Sequence, residues 1–378
     1  MAKNVAIVLP IFSHFRLQLF LQLRDILARD DIHLELIYGK ASDTVLYKQA
    51  EVDWASPKRN HEFDLFGKQL IWQALSANAY TADLAIIIQE NRYLSNHLLL
   101  WRRHRAGLPT AFWGHGLNHQ ARPNSVGNLI KKSYVSKVDW WFAYTKGVAA
   151  LIEGMGYPAE RITVVQNAID TRELMAARKH VKPEEAAALK DLMHVGEGPV
   201  GIYCGRLYDE KRIPFLLAAC KQIRAQVPNF HMIVIGTGPD APLVEKFEAN
   251  HPWLHYVGAC YDSDRARYFS LANIFMMPGL VGLAVLDAFA LGTPMITTKY
   301  PYHSPEIEYL VNGENGIITP NTLEDYVAAV VAALKNPEKL EEMKRRCLED
   351  AGIYTIEQMS QNIGQGIKLA LEANLYKL

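Results

Sequence analysis

The sequence has little of the chemistry that announces a protein class. Only four of its 378 residues are cysteine. Cys204, Cys220, Cys260 and Cys347 lie far apart with no Cys-x-x-Cys pair, which excludes a disulfide-built scaffold, a zinc ribbon and a dithiol motif and fits a reducing cytoplasm. Long apolar runs are missing too. The longest, 274–286, contains Pro278 and two glycines and stops at Asp287, short of the roughly 20 residues that span a bilayer. The first apolar stretch, 5–12, is broken by His14 and Arg16 and has no small-residue cleavage site after it, so it is read as a strand and not as a secretory signal. Net charge is absent, with 40 Lys plus Arg against 40 Asp plus Glu, which argues against nucleic acid as a partner. No internal repeat or low-complexity segment is found.

What is present is an alternation. A chain of this length suits two cores, and its 49% hydrophobic and 21% charged residues are those of ordinary globular domains. Short β-rich apolar runs fall at 5–9, 32–38, 84–88, 110–113, 140–144 and 162–165, and again at 200–204, 231–235, 254–257, 274–277, 295–297 and 316–318, with helical patterns between them. Runs apolar on both faces and separated by helices predict parallel strands in two doubly wound α/β sheets. The charged helix at 183–193 and the turn Gly196-Glu197-Gly198-Pro199 mark the change of domain, giving 1–180 and 196–354, with a last helix after Thr355.

In such sheets ligands bind beyond the carboxyl ends of the strands. From Ile274 to Thr298 the only charged side chain there is Asp287, in an otherwise apolar helix ended by Gly292. A carboxylate so placed needs partners, either ribose hydroxyls or nearby backbone. The amides of Val281, Gly282 and Leu283 at the start of this helix are positioned to receive a phosphate. Gly205-Arg206 ends one strand and Lys211 opens a helix, so these two cations either converge on a diphosphate or stand solvated beside Asp209 and Glu210.

Together these segments resemble the retaining glycosyltransferases of family four, which have the GT-B fold of two Rossmann-like domains facing an interdomain cleft. Asn167-Ala-Ile-Asp170, Gly205-Arg206-Leu207 with Lys211, Gly236-Thr-Gly238-Pro239, Pro305-Glu306 and Asn312-Gly313-Glu-Asn-Gly316 are similar to the family's motifs and occur in its order. The resemblance implies that Arg206 and Lys211 hold the diphosphate and Asp287 the ribose. It also implies that Gly205, Gly238 and Gly279 with Val281, Gly282 and Leu283 line the donor site, that Cys260 lies near the base, and that helix 355–378 packs back on the first domain. One departure stands out. The family's two glutamates lie eight positions apart; the second falls on Asp287 and the first on Gly279, so the carboxylate beside the transferred sugar is missing.

In the first half, Gly114-His115-Gly116 follows a strand, and by the same resemblance His115 borders the reacting centre. Asn118, Glu90 and Asn91 fall on the acceptor side, as do His14 and Arg16, which are read either as acceptor or phosphate contacts or as the cap of a helix at 15–27. Asp262-Ser-Asp264 imitates a metal-binding Asp-x-Asp, but its place before a helix at 265–272 makes Asp264 a cap, so no metal and no cofactor are expected. Gly236-Thr-Gly-Pro imitates a dinucleotide fingerprint, but Pro239 removes an amide that a pyrophosphate would use.

The neutral total also conceals an asymmetry. Residues 1–180 hold 22 basic and 16 acidic side chains and the remainder 18 and 24. Arg102-Arg103-His104-Arg105, Lys131, Lys132 and Lys137 lie near Trp101, Tyr134, Trp140 and Trp141, a mixture that suits either an anionic membrane face or solvated helices over buried tryptophans. The expectation is a metal-independent hexosyltransferase with a UDP- or GDP-linked sugar donor. Its acceptor is a saccharide or a lipid-linked saccharide in surface polysaccharide or lipopolysaccharide assembly, and its place is the cytoplasm, peripheral on the inner face of the plasma membrane. A GT-B sugar-nucleotide epimerase and a non-catalytic nucleotide-sugar-binding subunit are the alternatives.

Overall fold

The computed structural model describes residues 2–40, 49–65, 67–117, 133–260 and 262–375. It divides into two compact units, Met1–Asp170 with Ile356–Leu378, and Thr171–Thr355. Residues 171–195 go with the second unit because their helices pack there, Arg172–His180 against helices at 262–269 and 284–291.

The first unit is built on β1 (Lys3–Leu9), β2 (Ile32–Gly39), β3 (Ala55–Lys58), then a hairpin of β4 (Asn60–Leu65) and β5 (Lys68–Gln73), then β6 (Leu84–Ile88), β7 (Thr110–Gly114), β8 (Trp140–Ala143) and β9 (Ile162–Val164). Seven of these form one parallel sheet in the order β3-β2-β1-β6-β7-β8-β9. Its helices are α1 (Leu17–Ala28), α2 (Ala77–Thr81), α3 (Leu94–Arg105) and α4 (Lys146–Gly154), closed by a last helix at Ile356–Leu375 that lies along α1. The strands form because Val, Ile and aromatic residues bury both faces: β1 is buried from Val5 to Leu9, and Trp140, Trp141 and Phe142 of β8 are all covered. Residues 14–16 make a separate 3-10 turn before α1, so the first helix starts at Leu17 and not at residue 15.

The hairpin has no counterpart in the apolar runs of the sequence. His61, Phe63 and Leu65 stand opposite Trp72, Leu70 and Lys68, and Phe63, Leu65 and Trp72 are exposed. A two-stranded ribbon that covers so little apolar surface leaves no buried run to read.

Arg103 was expected among surface cations, and the structure corrects this. It is fully buried and donates to the carbonyls of Ala79, Ala82 and Pro109 and to Thr110 Oγ1. Burial lowers its pKa to about 10. Trp140 and Trp141 are core residues as well, their indole N–H groups donating to Thr163 Oγ1 and to the Val135 carbonyl. Arg103→Leu removes the donor to the Ala79, Ala82 and Pro109 carbonyls and to Thr110 Oγ1 and should cost about 3–5 kcal/mol, read as an early loss of the first unit in thermal unfolding. A wild-type melting profile in that variant would contradict the assignment.

The second unit opens with α5 (Arg172–His180) and α6 (Pro183–Leu192), followed by β10 (Val200–Cys204), α7 (Ile213–Gln226), β11 (His231–Ile235), α8 (Ala241–Glu248), β12 (Leu254–Gly258) and α9 (Asp262–Phe269). Then come β13 (Ile274–Met276), α10 (Ala284–Leu291), β14 (Met295–Thr298), β15 (Gly316–Thr319), α11 (Leu323–Leu334) and α12 (Pro337–Ala351), and the helix at Ile356–Leu375 is α13. The parallel sheet runs β12-β11-β10-β13-β14-β15, the Rossmann order, with its switch point between β10 and β13. Helix α9 begins at Asp262, so Asp264 sits inside its first turn, where it pairs with Arg267 at 3.9 Å, and is not the cap expected of it.

Candidate functional site

In doubly wound sheets ligands bind at the switch point, beyond the carboxyl ends of the strands where the crossovers leave in opposite directions. In the second unit the sequence places Gly205-Arg206 after β10 and Pro278-Gly279 after β13.

The first of these loops is shaped by glycine. Gly236 lies so close to the preceding turn that a Cβ there would meet the Gly205 carbonyl oxygen at 1.8 Å, and one on Gly238 would meet the Leu207 oxygen at 2.1 Å. Leu207 N donates to the Thr237 carbonyl at 2.9 Å. The Gly236-Thr-Gly238-Pro239 segment is thus the backbone clasp that fixes the Gly205-Arg206-Leu207 turn. Arg206 lies with its guanidinium carbon 5.5 Å from the Tyr208 ring centroid, and its carbonyl accepts from the Tyr203 hydroxyl at 2.9 Å.

Lys211 follows on the 3-10 turn Asp209–Lys211 and is buried. Its Nζ donates to the Leu280 carbonyl, which brings an ammonium group onto the loop that leads from β13 into α10. Burial pulls its pKa down to about 8, against a weaker upward pull from Cys204 and Glu210. The next residue, Arg212, is left-handed at φ 56° and ties the same region together, donating to Asn321 Oδ1 and to the Pro278 carbonyl.

The helix entrance differs in one respect from the expectation of three open amides. Val281 N donates to His303 Nδ1 at 3.0 Å, while His303 Nε2 donates to the Thr298 carbonyl at 2.8 Å. That pair of bonds fixes a neutral imidazole, and burial lowers its pKa further. The Val281 amide is therefore already used within the protein; those of Gly282 and Leu283 have no partner among the described residues. His303 was missed in the sequence, where Tyr300-Pro-Tyr-His carries no motif.

Asp287 projects from the first turn of α10 with its side chain 14% exposed. Within the chain its partner is not nearby backbone but Arg265 of α9, whose NH1 donates to Asp287 Oδ2 at 2.9 Å. The same guanidinium reaches the Cys204 thiol at the end of β10. Burial raises the Asp287 pKa and Arg265 pulls it back. The other carboxylate oxygen, Oδ1, is buried with no hydrogen-bond partner. Such an atom costs about 1–3 kcal/mol unless something donates to it. Cys260 follows β12, partly exposed, with its thiol pushed up by burial. Glu306 is buried at the start of a 3-10 turn. Asn315 acts structurally, donating to the Tyr309 carbonyl and to Asp350 Oδ2.

In the first unit, His115 follows β7 with its ring 4.3 Å from that of Tyr144, edge to face. Arg16 donates to Asn167 Oδ1 at 2.6 Å and to the Ala168 carbonyl at 3.1 Å, so its guanidinium ties the 3-10 turn before α1 to the segment after β9. His14 is exposed on that turn. Glu90 pairs with Arg92 at 3.1 Å, and Asn91 offers its carbonyl to His97 Nε2 at 3.0 Å. Asn118, Lys131 and Lys132 lie outside the described residues.

The family described as Glycosyl transferases group 1 matches residues 198–336. The alpha-monoglucosyldiacylglycerol synthase of Acholeplasma laidlawii is 27% identical over 228 residues, 58% of this chain and 56% of that protein. The chain spans about half the length of that relative, and less of the streptococcal GtfA subunit, of which 30% is matched. Among solved structures, Anabaena HepE in complex with UDP superimposes with a TM-score of 0.68 at 13% identity, covering 97% of this chain and 99% of that one. The lipopolysaccharide outer core galactosyltransferase WaaB, in its apo form, does so with a TM-score of 0.66 at 14% identity, covering 96% and 99%. Residues 198–336 thus match the glycosyl transferases group 1, and the chain has the GT-B fold of two Rossmann-like parallel-sheet units.

Proposed function

We propose that the protein is a retaining, metal-independent glycosyltransferase that moves a hexose from a nucleotide diphosphate sugar to a saccharide or lipid-linked saccharide in surface glycolipid or polysaccharide assembly. One observation carries the reading. Asp287 has one carboxylate oxygen held by Arg265 and the other buried without a donor, and the loop that leads into its helix is contacted by the buried Lys211 ammonium. A ribose hydroxyl donates to such an oxygen, and a diphosphate suits the cations Lys211 and Arg206. The relatives agree with this chemistry: HepE has been solved with UDP-glucose, and the synthase from Acholeplasma is named for a glycolipid.

In the proposed reaction the bond from the sugar C1 to the diphosphate oxygen breaks on the same face on which the acceptor oxygen bonds to C1. The acceptor proton passes to the departing diphosphate. Arg206 and Lys211 stabilise the charge that develops there, aided by the amides of Gly282 and Leu283, and His115 borders the reacting centre without having to act as a strong base. On the acceptor side, among the described residues, Arg102 and Arg105 are exposed cations flanking the exposed Trp101, a basic patch suited to anionic lipid. Among the described residues no helix is long and apolar enough to cross a membrane.

Thermal unfolding with UDP, GDP and ADP tests the donor site. Binding at about 100 times Kd adds about 2.7 kcal/mol to the unit that binds, so one nucleotide should raise its melting temperature and the others much less. No stabilisation by any of the three would overturn the reading.

A further inference from the structure

Exposed apolar side chains of the first unit gather on two neighbouring elements, the ribbon of β4 with β5 and helix α3. Of the twelve large hydrophobic residues exposed among those described, five belong to them: Phe63, Leu65, Trp72, Leu94 and Trp101, between 37% and 54% exposed. The ribbon has two unlike faces. Side chains alternate along a strand, so Phe63, Leu65 and Trp72 stand on one side while the buried Ile71 and Gln73 stand on the other. Glu62 and Asp64 fall on that other side too, accepting from Gln69 Nε2 and the Gly67 amide. Trp72 lies diagonally across from Phe63, within the reach of aromatic side chains. The ribbon is fastened to the start of α3, where Ile71 N donates to the Arg92 carbonyl at 2.8 Å and Gln73 N to Ser95 Oγ at 3.4 Å. Leu94 is exposed at that end of the helix, and Trp101, two turns further on, shares its face.

We propose that Phe63, Leu65 and Trp72 of the ribbon, with Leu94 and Trp101 of α3, form the surface that seats this protein on an anionic phospholipid bilayer; this rests on the reading above of a lipid-linked acceptor. The apolar side chains enter the headgroup region and the arginines beside them meet the phosphates. Charge selects lipid as the occupant. Helix α3 contains no acidic residue, and its last turn exposes Arg102 and Arg105. Each lies over a ring, Arg102 at 5.2 Å from that of Tyr80 and Arg105 at 5.0 Å from that of Trp101, and neither has an ion pair among the described residues. Guanidinium groups beside exposed tryptophan and leucine are the composition of a bilayer interface, where an indole keeps its ring in the apolar layer and its N–H in the wet one. A second copy of the chain is the poorer occupant. A twofold contact sets a surface against itself, and here it would bring the same arginines together with no acid on α3 to relieve them.

Co-sedimentation of the full chain with vesicles tests this. The wild type should bind vesicles of equal parts phosphatidylglycerol and phosphatidylcholine, and bind pure phosphatidylcholine about 25-fold more weakly. Phe63→Ser with Leu65→Ser, and separately Trp72→Ser, should each lower partition into the anionic vesicles about tenfold. Arg102→Gln with Arg105→Gln should remove the preference for anionic lipid. These positions are exposed, so melting should match the wild type and a loss of binding is then not a loss of fold. Quenching of wild-type tryptophan fluorescence by brominated phosphatidylcholine in the mixed vesicles reads the same contact without any substitution. Equal partition of wild type and both ribbon variants, or no binding of the wild type to either vesicle, overturns the proposal. So does a dimer in lipid-free solution that Trp72→Ser dissolves, which makes the surface a contact between copies. Failure of the transferase reading looks different: nucleotide stabilisation is then missing while vesicle binding, which needs neither donor nor acceptor, stands.

Discussion

Replacing Arg206 and Lys211 together by alanine is expected to lower kcat/KM for sugar transfer by about three to five orders of magnitude, since one preorganised charge-stabilising donor is commonly worth about 100- to 1,000-fold. The two cations differ in what else they do. The Arg206 side chain rests on Tyr208, while the turn beneath it is held by backbone bonds, so Arg206→Ala alone should leave melting unchanged and weaken nucleotide diphosphate affinity about 10- to 100-fold. Lys211 also donates to the Leu280 carbonyl, and its loss loosens the loop before α10. Unchanged affinity and rate in the double variant would remove both residues from the site.

Lys211 adds a pH signature. Its pKa is held at about 8 in the folded chain by burial, against an ordinary lysine value of 10.5. Below about pH 8 it is charged in folded and unfolded chains alike, and desolvation of that charge costs the fold about 3 kcal/mol. Between about 8 and 10.5 the folded chain gives up the proton first, so stability rises with pH in that window. Diphosphate affinity moves the other way and should weaken from about pH 8 upward as the ammonium is lost. Calorimetry across this range should find the slope in the wild type and not in Lys211→Met; a slope that survives the substitution assigns the titration elsewhere.

The second large effect concerns Gly279, where the resembling family has a glutamate. Restoring the acid as Gly279→Glu should not improve sugar binding but should destabilise the second unit by about 3 kcal/mol or more. A Cβ at this position would stand 2.4 Å from the Glu210 carbonyl oxygen and 2.6 Å from the carbonyl carbon and oxygen of Lys211. These are backbone atoms and cannot swing aside. The bond from Leu280 N to the Glu210 carbonyl at 2.8 Å and the bond from Lys211 to the Leu280 carbonyl both depend on this contact. Gly279→Ala should already show most of the loss in thermal unfolding. A folded Gly279→Glu with wild-type melting and tighter binding of the donor sugar would defeat the argument. On this view the position is not a deleted acid but a contact by which the β13 loop grips the Lys211 turn.

The twelve apolar runs of the sequence correspond to strands of the two sheets because a strand buried on both faces, such as Val200–Cys204, is apolar along its whole length. The ribbon Asn60–Leu65 with Lys68–Gln73 left no such mark, being exposed on most of its surface. At the donor loops, the chain segments were legible from glycine and charge, but the partners were not. Nothing local to Asp287 points to Arg265, 22 positions away, and nothing local to Val281 points to His303. Arg103 misled for the same reason: three of its four acceptors are backbone carbonyls, which no side-chain pattern encodes, and its neighbours Arg102, His104 and Arg105 are indeed at the surface.

The first unit is discontinuous in sequence, and this has a consequence for biosynthesis. Its closing helix, α13, buries Ile356, Met359, Ile363 and Ile367, and Gly364 packs on Ile26 and Leu23 of α1. On the ribosome, residues 171–355, with every strand of the second sheet, emerge before that helix. At about 5–20 residues per second the amino-terminal sheet waits on the order of 10 to 40 s with one flank of α1 uncovered. The half of the protein translated first is therefore the half completed last, and a nascent chain stalled before Ile356 presents a finished second unit beside an unfinished first one.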